Sequence, residues 1–251
     1  MFSSFARKLS LLPLLALSLP VLATDAHWTY KGDSGPTHWG ELVNAQCANG
    51  HAQSPIDIDL KHLAPQKVAS SDLKISYSRS PATVLNNGHT IQIIPAGENH
   101  VVFKGDAYQL VQFHFHTPSE HLFDHKAYPM EMHLVNQDKD GHLLVLGVMV
   151  KEGKANKELA NLWKSLPREQ GQESKLTGKS TPNLAMLLPK GSKHIYYSGS
   201  LTTPPCSEGV QWVVFEKPIV MSHAQIERFR QIFPDNHRPA QALDGREVDQ
   251  D

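Results

Sequence analysis

Gln112-Phe113-His114-Phe115-His116, near the middle of the chain, holds the residues best suited to chemistry. In a strand, side chains alternate faces, so Gln112, His114 and His116 share one face and Phe113 and Phe115 the other. Two imidazoles about 7 Å apart on a rigid strand can bind one metal ion together with a ligand from a neighbouring strand. Alone the pair is a weak signal. With 15 histidines in 251 residues, one His-x-His pair is expected about once by chance. The plain alternative is a strand carrying one internally bonded histidine and one exposed histidine.

The third candidate is His133, within Glu131-Met132-His133-Leu134-Val135. If residues 117 to 127 connect the two segments, the second strand runs antiparallel beside the first and turns His133 toward His114 and His116. Glu131 and Val135 share its face. Three neutral imidazoles leave one tetrahedral position open, the pattern of a catalytic rather than a structural zinc. Ligating imidazoles also need acceptors that fix their tautomers. Gln112 and Glu131 sit two residues from His114 and His133, on the same faces, and suit that task.

The elements that must position these residues are mostly strands. Leu73-Lys74-Ile75-Ser76-Tyr77 alternates, and Thr83-Val84-Leu85 runs into the turn-forming Asn86-Asn87-Gly88. Further strands are predicted over 89–94, 101–103, 108–116, 130–136, 143–150, 195–197 and 210–215, and Gln53 to Ile58 is extended beside Pro55. Turns between consecutive strands, such as Asp138-Lys139-Asp140-Gly141, argue for antiparallel pairing. Leu159, Leu162, Trp163 and Leu166 fall at helical spacing before Pro167. A second helix is predicted from Ser222 to Phe233, with Ser222 and Gln225 as a capping box. Both read as packing helices. Residues 24–50 show little periodicity, and 151–157 and 164–179 read as charged, solvated surface.

Composition narrows the partners. Formal net charge is −1 with 40% hydrophobic and 20% charged residues, which points to neither nucleic acid nor an anionic membrane surface. Arg7 and Lys8 precede an apolar run, Leu9 to Leu22, broken by Pro13 and Pro20, and Val21-Leu22-Ala23 offers a cleavage site. Residues 1–23 therefore read as an export signal cut after Ala23, the alternative being an uncleaved anchor. The run is short and broken for a membrane span, and no span is expected in the mature chain. Cys47 and Cys206 are the two cysteines. In an oxidising compartment an even pair is most simply one disulfide, with two buried free thiols as the alternative.

Taken together, the motifs resemble the α-class carbonic anhydrases of the bacterial, exported kind. The matching stretches are 53–56, 87–89, 112–116, 119–121, 131–135, Ser198-Gly199-Ser200-Leu201-Thr202-Thr203-Pro204-Pro205, and Asn236-His237-Arg238-Pro239-Ala240-Gln241. They follow the family order and cover essentially the whole chain after residue 23. The resemblance implies one mainly β (α+β) domain over 24–251. Its large, twisted, mostly antiparallel sheet would have about ten strands, with a few parallel pairs at the centre and peripheral helices.

The resemblance also implies a zinc enzyme for reversible hydration of carbon dioxide to bicarbonate and a proton by way of zinc-bound hydroxide. Zn2+ would be held by His114, His116 and His133, with Gln112, Glu131 and Asn236 behind them. Thr202 would accept from the hydroxide and donate to Glu120, and Thr203 would contact bicarbonate. Val135, Val145, Leu201, Val210 and Trp212 would line the carbon dioxide pocket. His89 would shuttle protons, with Tyr30 and Asn87 ordering the water between. Histidine titrates near neutral pH without perturbation, which suits that role; the plain alternative is an exposed turn histidine. Cys47 and Cys206 match the disulfide of exported members. A periplasmic location follows, alternatively secretion, and a homodimer is the expected assembly. One departure is His237, where the family often has Trp, read here as a local packing change. A second is the short connection from His133 to Gly141. Two rival readings are a zinc hydrolase acting on esters and a metal-free binding module of the same fold. Retention of all three histidines with Thr202 and Glu120 argues against the second.

Overall fold

The computed structural model describes residues 27–64 and 68–251; the expected export signal at 1–23 lies outside them. Fourteen strands form in chain order. They are β1 (Asp57–Ile58), β2 (Leu73–Ser76), β3 (Ala82–Asn86), β4 (Ile91–Pro95), β5 (His100–Phe103), β6 (Asp106–His116) and β7 (Leu122–Phe123). Then come β8 (Lys126–Ala127), β9 (Met130–Gln137), β10 (Leu143–Glu152), β11 (Glu173–Leu176), β12 (His194–Ser200), β13 (Glu208–Met221) and β14 (Asp249–Gln250). The helices are α1 (Trp39–Leu42), α2 (Gln46–Asn49), α3 (Ala160–Lys164) and α4 (His223–Arg230).

Eleven strands make one sheet in the order β11-β3-β4-β6-β9-β10-β13-β12-β14, with β5 also paired to β6 and β2 to β5. The expected large, mostly antiparallel sheet is what forms. Within it the parallel pairing is between β10 and β13, a single central pair rather than several. β10 is buried along Leu144–Val150, as a strand covered on both faces must be, and its apolar residues run almost without interruption for that reason. A small second sheet, β1-β7-β8, folds against the chain near Ile56 and Ile58, both fully buried.

The two faces of the large sheet do different work. Phe113, Phe115, Met132, Leu134, Leu146, Val148, Val213 and Phe215 point into one apolar cluster with Trp163 and Phe229 of the helices. The alternate residues of the same strands, among them Val145 and Trp212, form a second cluster on the opposite face. Period-two alternation thus sorts core from site residue by residue.

Differences from the sequence reading have local causes. The predicted helix around Leu159–Leu166 is regular only over α3, because Pro167 pulls the residue before it out of helical backbone. Leu159, Leu162, Trp163 and Leu166 are nonetheless all buried. α4 begins at the expected cap: the Gln225 backbone N–H donates to Ser222 Oγ at 3.2 Å, and the Ser222 N–H donates to Gln225 Oε1 at 3.1 Å. It ends at Arg230, and single turns continue to Phe233. β11 lies inside the segment read as charged surface; it is an edge strand whose Leu176 alone is buried. The 24–50 region, read as irregular, holds α1 and α2 in its described part.

Cys47 at α2 and Cys206 are joined by a disulfide across 159 positions, and both pack with Trp39. Closing so long a loop constrains the unfolded chain by at most about 5 kcal/mol. The Cys47→Ser/Cys206→Ser double variant is therefore expected to unfold at lower denaturant with an unchanged fold at 25 °C. Equilibrium denaturation followed by fluorescence measures it.

Candidate active site

Strand register brings the three histidines together. β6 and β9 pair antiparallel with His114 directly opposite His133, and His116 is two residues further along the same face. The bulge at Leu110/Gln112 lies ahead of this stretch, so Gln112, His114 and His116 stay in phase. Ring centroids are 4.9 Å apart for His114–His116, 5.4 Å for His114–His133 and 4.6 Å for His116–His133. One nitrogen from each ring falls within 4.8 Å of the others.

Hydrogen bonds decide which nitrogen that is. His114 Nδ1 donates to Gln112 Oε1 at 2.8 Å. His116 Nδ1 donates to the Asn236 carbonyl at 2.7 Å. His133 Nε2 donates to Glu131 Oε1 at 2.8 Å. Each acceptor fixes a tautomer whose other nitrogen carries a lone pair. His114 Nε2, His116 Nε2 and His133 Nδ1 remain, and His116 Nε2 is buried with no partner. An orphaned buried acceptor is costly unless something fills the site. Burial pulls all three imidazoles down, His114 well below its ordinary value and His116 to about 4, with the neighbouring rings adding to the effect. Neutral imidazoles converging on one point fit a zinc ion.

Glu131 does more than the sequence suggested. It is fully buried; although burial pushes its carboxyl up, His121 and His133 hold it well below the usual range. Oε1 takes His121 Nδ1 at 2.7 Å as well as His133, and Oε2 accepts the Glu120 and His121 backbone N–H groups at 2.9 Å. His121 Nε2 meets the Tyr197 hydroxyl at 2.7 Å, which donates to Ser54 Oγ at 2.9 Å. Ser54 Oγ accepts from the Ser200 N–H at 3.0 Å. A continuous chain of bonds therefore runs from a ligand position to the loop carrying Leu201, Thr202 and Thr203.

Glu120 is buried, and burial pushes its carboxyl up to about 7 against the pull of His133, the Thr202 hydroxyl and the Arg238 N–H. Oε1 accepts that N–H at 2.7 Å. Thr202 lies against the carboxylate but outside good hydrogen-bond geometry here, and Oε2 has no partner. Arg238, to which sequence reasoning gave no role, holds this corner. It is 1% exposed, and its guanidinium donates to Gln53 Oε1 and to the Ser54 and Cys47 carbonyls at 2.7–2.9 Å. Its place in the Asn236–Gln241 motif was the available signal.

The remaining candidates fall into two groups, one bordering a cavity and one packed in the second apolar cluster. Tyr30, Asn87, His89 and Thr203 border a cavity of ≈110 Å³ with His114 and His116. Asn87 Oδ1 accepts the His89 and Thr90 N–H groups at 2.9 Å, which shapes the turn presenting His89. Val145, Val210 and Trp212 are buried in the second cluster, with Val135 and Leu201 packed against it. Trp28, not singled out from sequence, stacks on His89.

Known proteins agree with this geometry. A model of the eukaryotic-type carbonic anhydrase family matches residues 34–251. A carbonic anhydrase of Klebsiella pneumoniae is 42% identical over 241 residues, 94% of this chain and 96% of its own length. The α-carbonic anhydrase of Thermovibrio ammonificans, solved with the inhibitor sulfanilamide, superposes with a TM-score of 0.85 at 46% identity, covering 89% of this chain and 98% of that one. Dioscorin, solved with ascorbate, shares the fold at 27% identity and a TM-score of 0.81, covering 89% and 97%. With its fold, its chain-long similarity and this cluster of histidines, the protein belongs to the α-class, or eukaryotic-type, carbonic anhydrase family, enzymes whose general reaction is the hydration of carbon dioxide.

Proposed function

We propose that the chain is a zinc enzyme hydrating carbon dioxide reversibly to bicarbonate and a proton, with His114, His116 and His133 as ligands and His89 moving the proton. One observation carries the reading: three imidazole nitrogens outside those hydrogen bonds converge within 4.8 Å while the second nitrogen of each ring is bonded to a fixed acceptor. Bound there, zinc brings the pKa of a water to about 7, the value established for carbonic anhydrases as a class.

The chain's own residues do the rest. Once its hydroxyl turns to donate to Glu120, Thr202 can only accept, so it would orient a hydroxyl that donates to it and turn away anions lacking a proton. Glu120 Oε2, buried and unpartnered, is ready for that donor. Carbon dioxide has no charge to grip; Val135, Val145, Leu201, Val210 and Trp212 hold it weakly against a dry wall, from which the charged product leaves readily. Thr203, which borders the cavity with His114 and His116, contacts bicarbonate. His89 accepts the product proton through water ordered by Tyr30 and Asn87, and its turn position opens it toward buffer. We also infer that residues 1–23 direct export to the periplasm and that 24–251 is the working domain; the disulfide supports an oxidising compartment. Among the described residues no helix is long and apolar enough to cross a membrane.

His133→Ala is expected to abolish stoichiometric zinc and stopped-flow carbon dioxide hydration together; an active, metal-free variant would sink the assignment. Thr202→Ala should keep zinc, measured by atomic absorption, and lose activity by about 10²-fold, as for removal of one orienting hydrogen bond. His89→Ala should slow turnover roughly tenfold or more in weak buffer, with added imidazole restoring it.

A further inference from the structure

His89 stands between two cavities. On one side is the ≈110 Å³ space that it lines with His114, His116 and Thr203. On the other is a larger cavity of ≈390 Å³ that it lines with His27, Lys31 and Asp235. Trp28 and Tyr30 border both. The imidazole stacks on Trp28 with centroids 3.6 Å apart and planes 8° apart, which holds it at the junction. The larger space has room for several waters at about 30 Å³ each.

Asp235, which lines that space, is paired with a neighbour, and the chemistry so far gives the pair no task. Asp235 Oδ1 is 2.6 Å from His237 Nδ1, and the two side chains are 37% and 30% exposed. The segment is tied to His89 itself: between them Asn236, fully buried, donates from Nδ2 to the His89 carbonyl at 3.0 Å.

We propose that Asp235 and His237 form a second proton-transfer station, which takes the proton released by His89 through the larger cavity and hands it to solvent. The proposal rests on the reading of His89 as the proton carrier. One proton moves and no electrons do. The His89 imidazolium returns to imidazole as a proton passes along water to the Asp235 carboxylate. That carboxylate, held at Oδ1 by the His237 Nδ1–H, releases the proton from its other oxygen to buffer, so both groups end each turnover as they began. The direction follows from the surroundings. Burial and the neighbouring His27 pull the His89 pKa down, so its imidazolium gives the proton up. The charges facing the route are His27, Lys31 and Tyr30 from the N-terminal segment, His89 from its turn, and Asp235 and His237. Tyr30 stays protonated throughout: burial, Glu120 and Asp235 together hold its pKa well above the ordinary value.

The test uses the zinc-loaded full chain and the exchange of oxygen-18 between carbon dioxide and water, which separates carbon dioxide–bicarbonate interconversion from proton delivery. His237→Phe and Asp235→Asn are each expected to lower proton delivery several-fold in weak buffer, with imidazole restoring it. Wild-type delivery in both variants overturns the proposal. So does an equal fall in interconversion and delivery that imidazole fails to rescue, since that is the mark of a packing defect. Failure of the underlying reading looks different and overturns both: wild-type protein without interconversion, or His89→Ala with undiminished delivery.

Discussion

Three imidazoles drawn into the protein interior must each find a hydrogen-bond acceptor, and that need organises everything around them. A ring left free to flip offers no fixed lone pair. Here a side-chain amide, a backbone carbonyl and a carboxylate each take one N–H. The carboxylate cannot be dry by itself, so Glu131 in turn accepts two backbone N–H groups and the His121 ring. His121 then needs Tyr197, and Tyr197 needs Ser54. Polarity at the centre is thereby neutralised shell by shell until it reaches the loop that carries Leu201, Thr202 and Thr203.

The sheet makes such a centre affordable. Because β6, β9, β10 and β13 send alternate residues to opposite faces, the same strands that anchor Phe113 and Phe115 in the larger core also aim His114 and His116 into the cleft. Rigidity of the ring positions is thus inherited from packing on the reverse side. The asymmetry of the reverse side, where helices cover the sheet, leaves the site face to be closed by irregular chain: the α1–α2 segment, the 200–206 loop and the segment from Asn236 onward. Arg238 and the disulfide bind these three together. Burial lowers the guanidinium to about 10, so it stays charged, and its three neutral acceptors replace lost solvation.

Most of the sheet and the histidine cluster were legible because both are written in short-range periodicity. Alternation marked β6, β9 and β10 and assigned His114, His116 and His133 to one face, and the family motifs tied the segments together. Features set by long-range contact were not legible. β11 has a charged composition and becomes a strand only by pairing with β3. α3 has a helical spacing longer than its helix, because a proline and tertiary packing bring Leu166 into the core without helical backbone. Arg238 reads as an ordinary surface cation until its partners, 184–191 positions away, are in view. The stack of Trp28 on His89 joins an N-terminal segment without periodicity to a distant turn.

Gly199 shows how little freedom this arrangement leaves. A methyl group there would come within 2.1 Å of Ser54 Oγ, 2.7 Å of the Tyr197 ring and 2.9 Å of Trp212. Those three atoms belong to the polar chain beneath the cleft and to the second apolar cluster. Evolution of that cluster therefore has to proceed by exchanging side chains such as Val145 or Leu201, never by adding bulk at this backbone position. The apolar cluster is open to drift in its side chains and closed to it where the backbone passes.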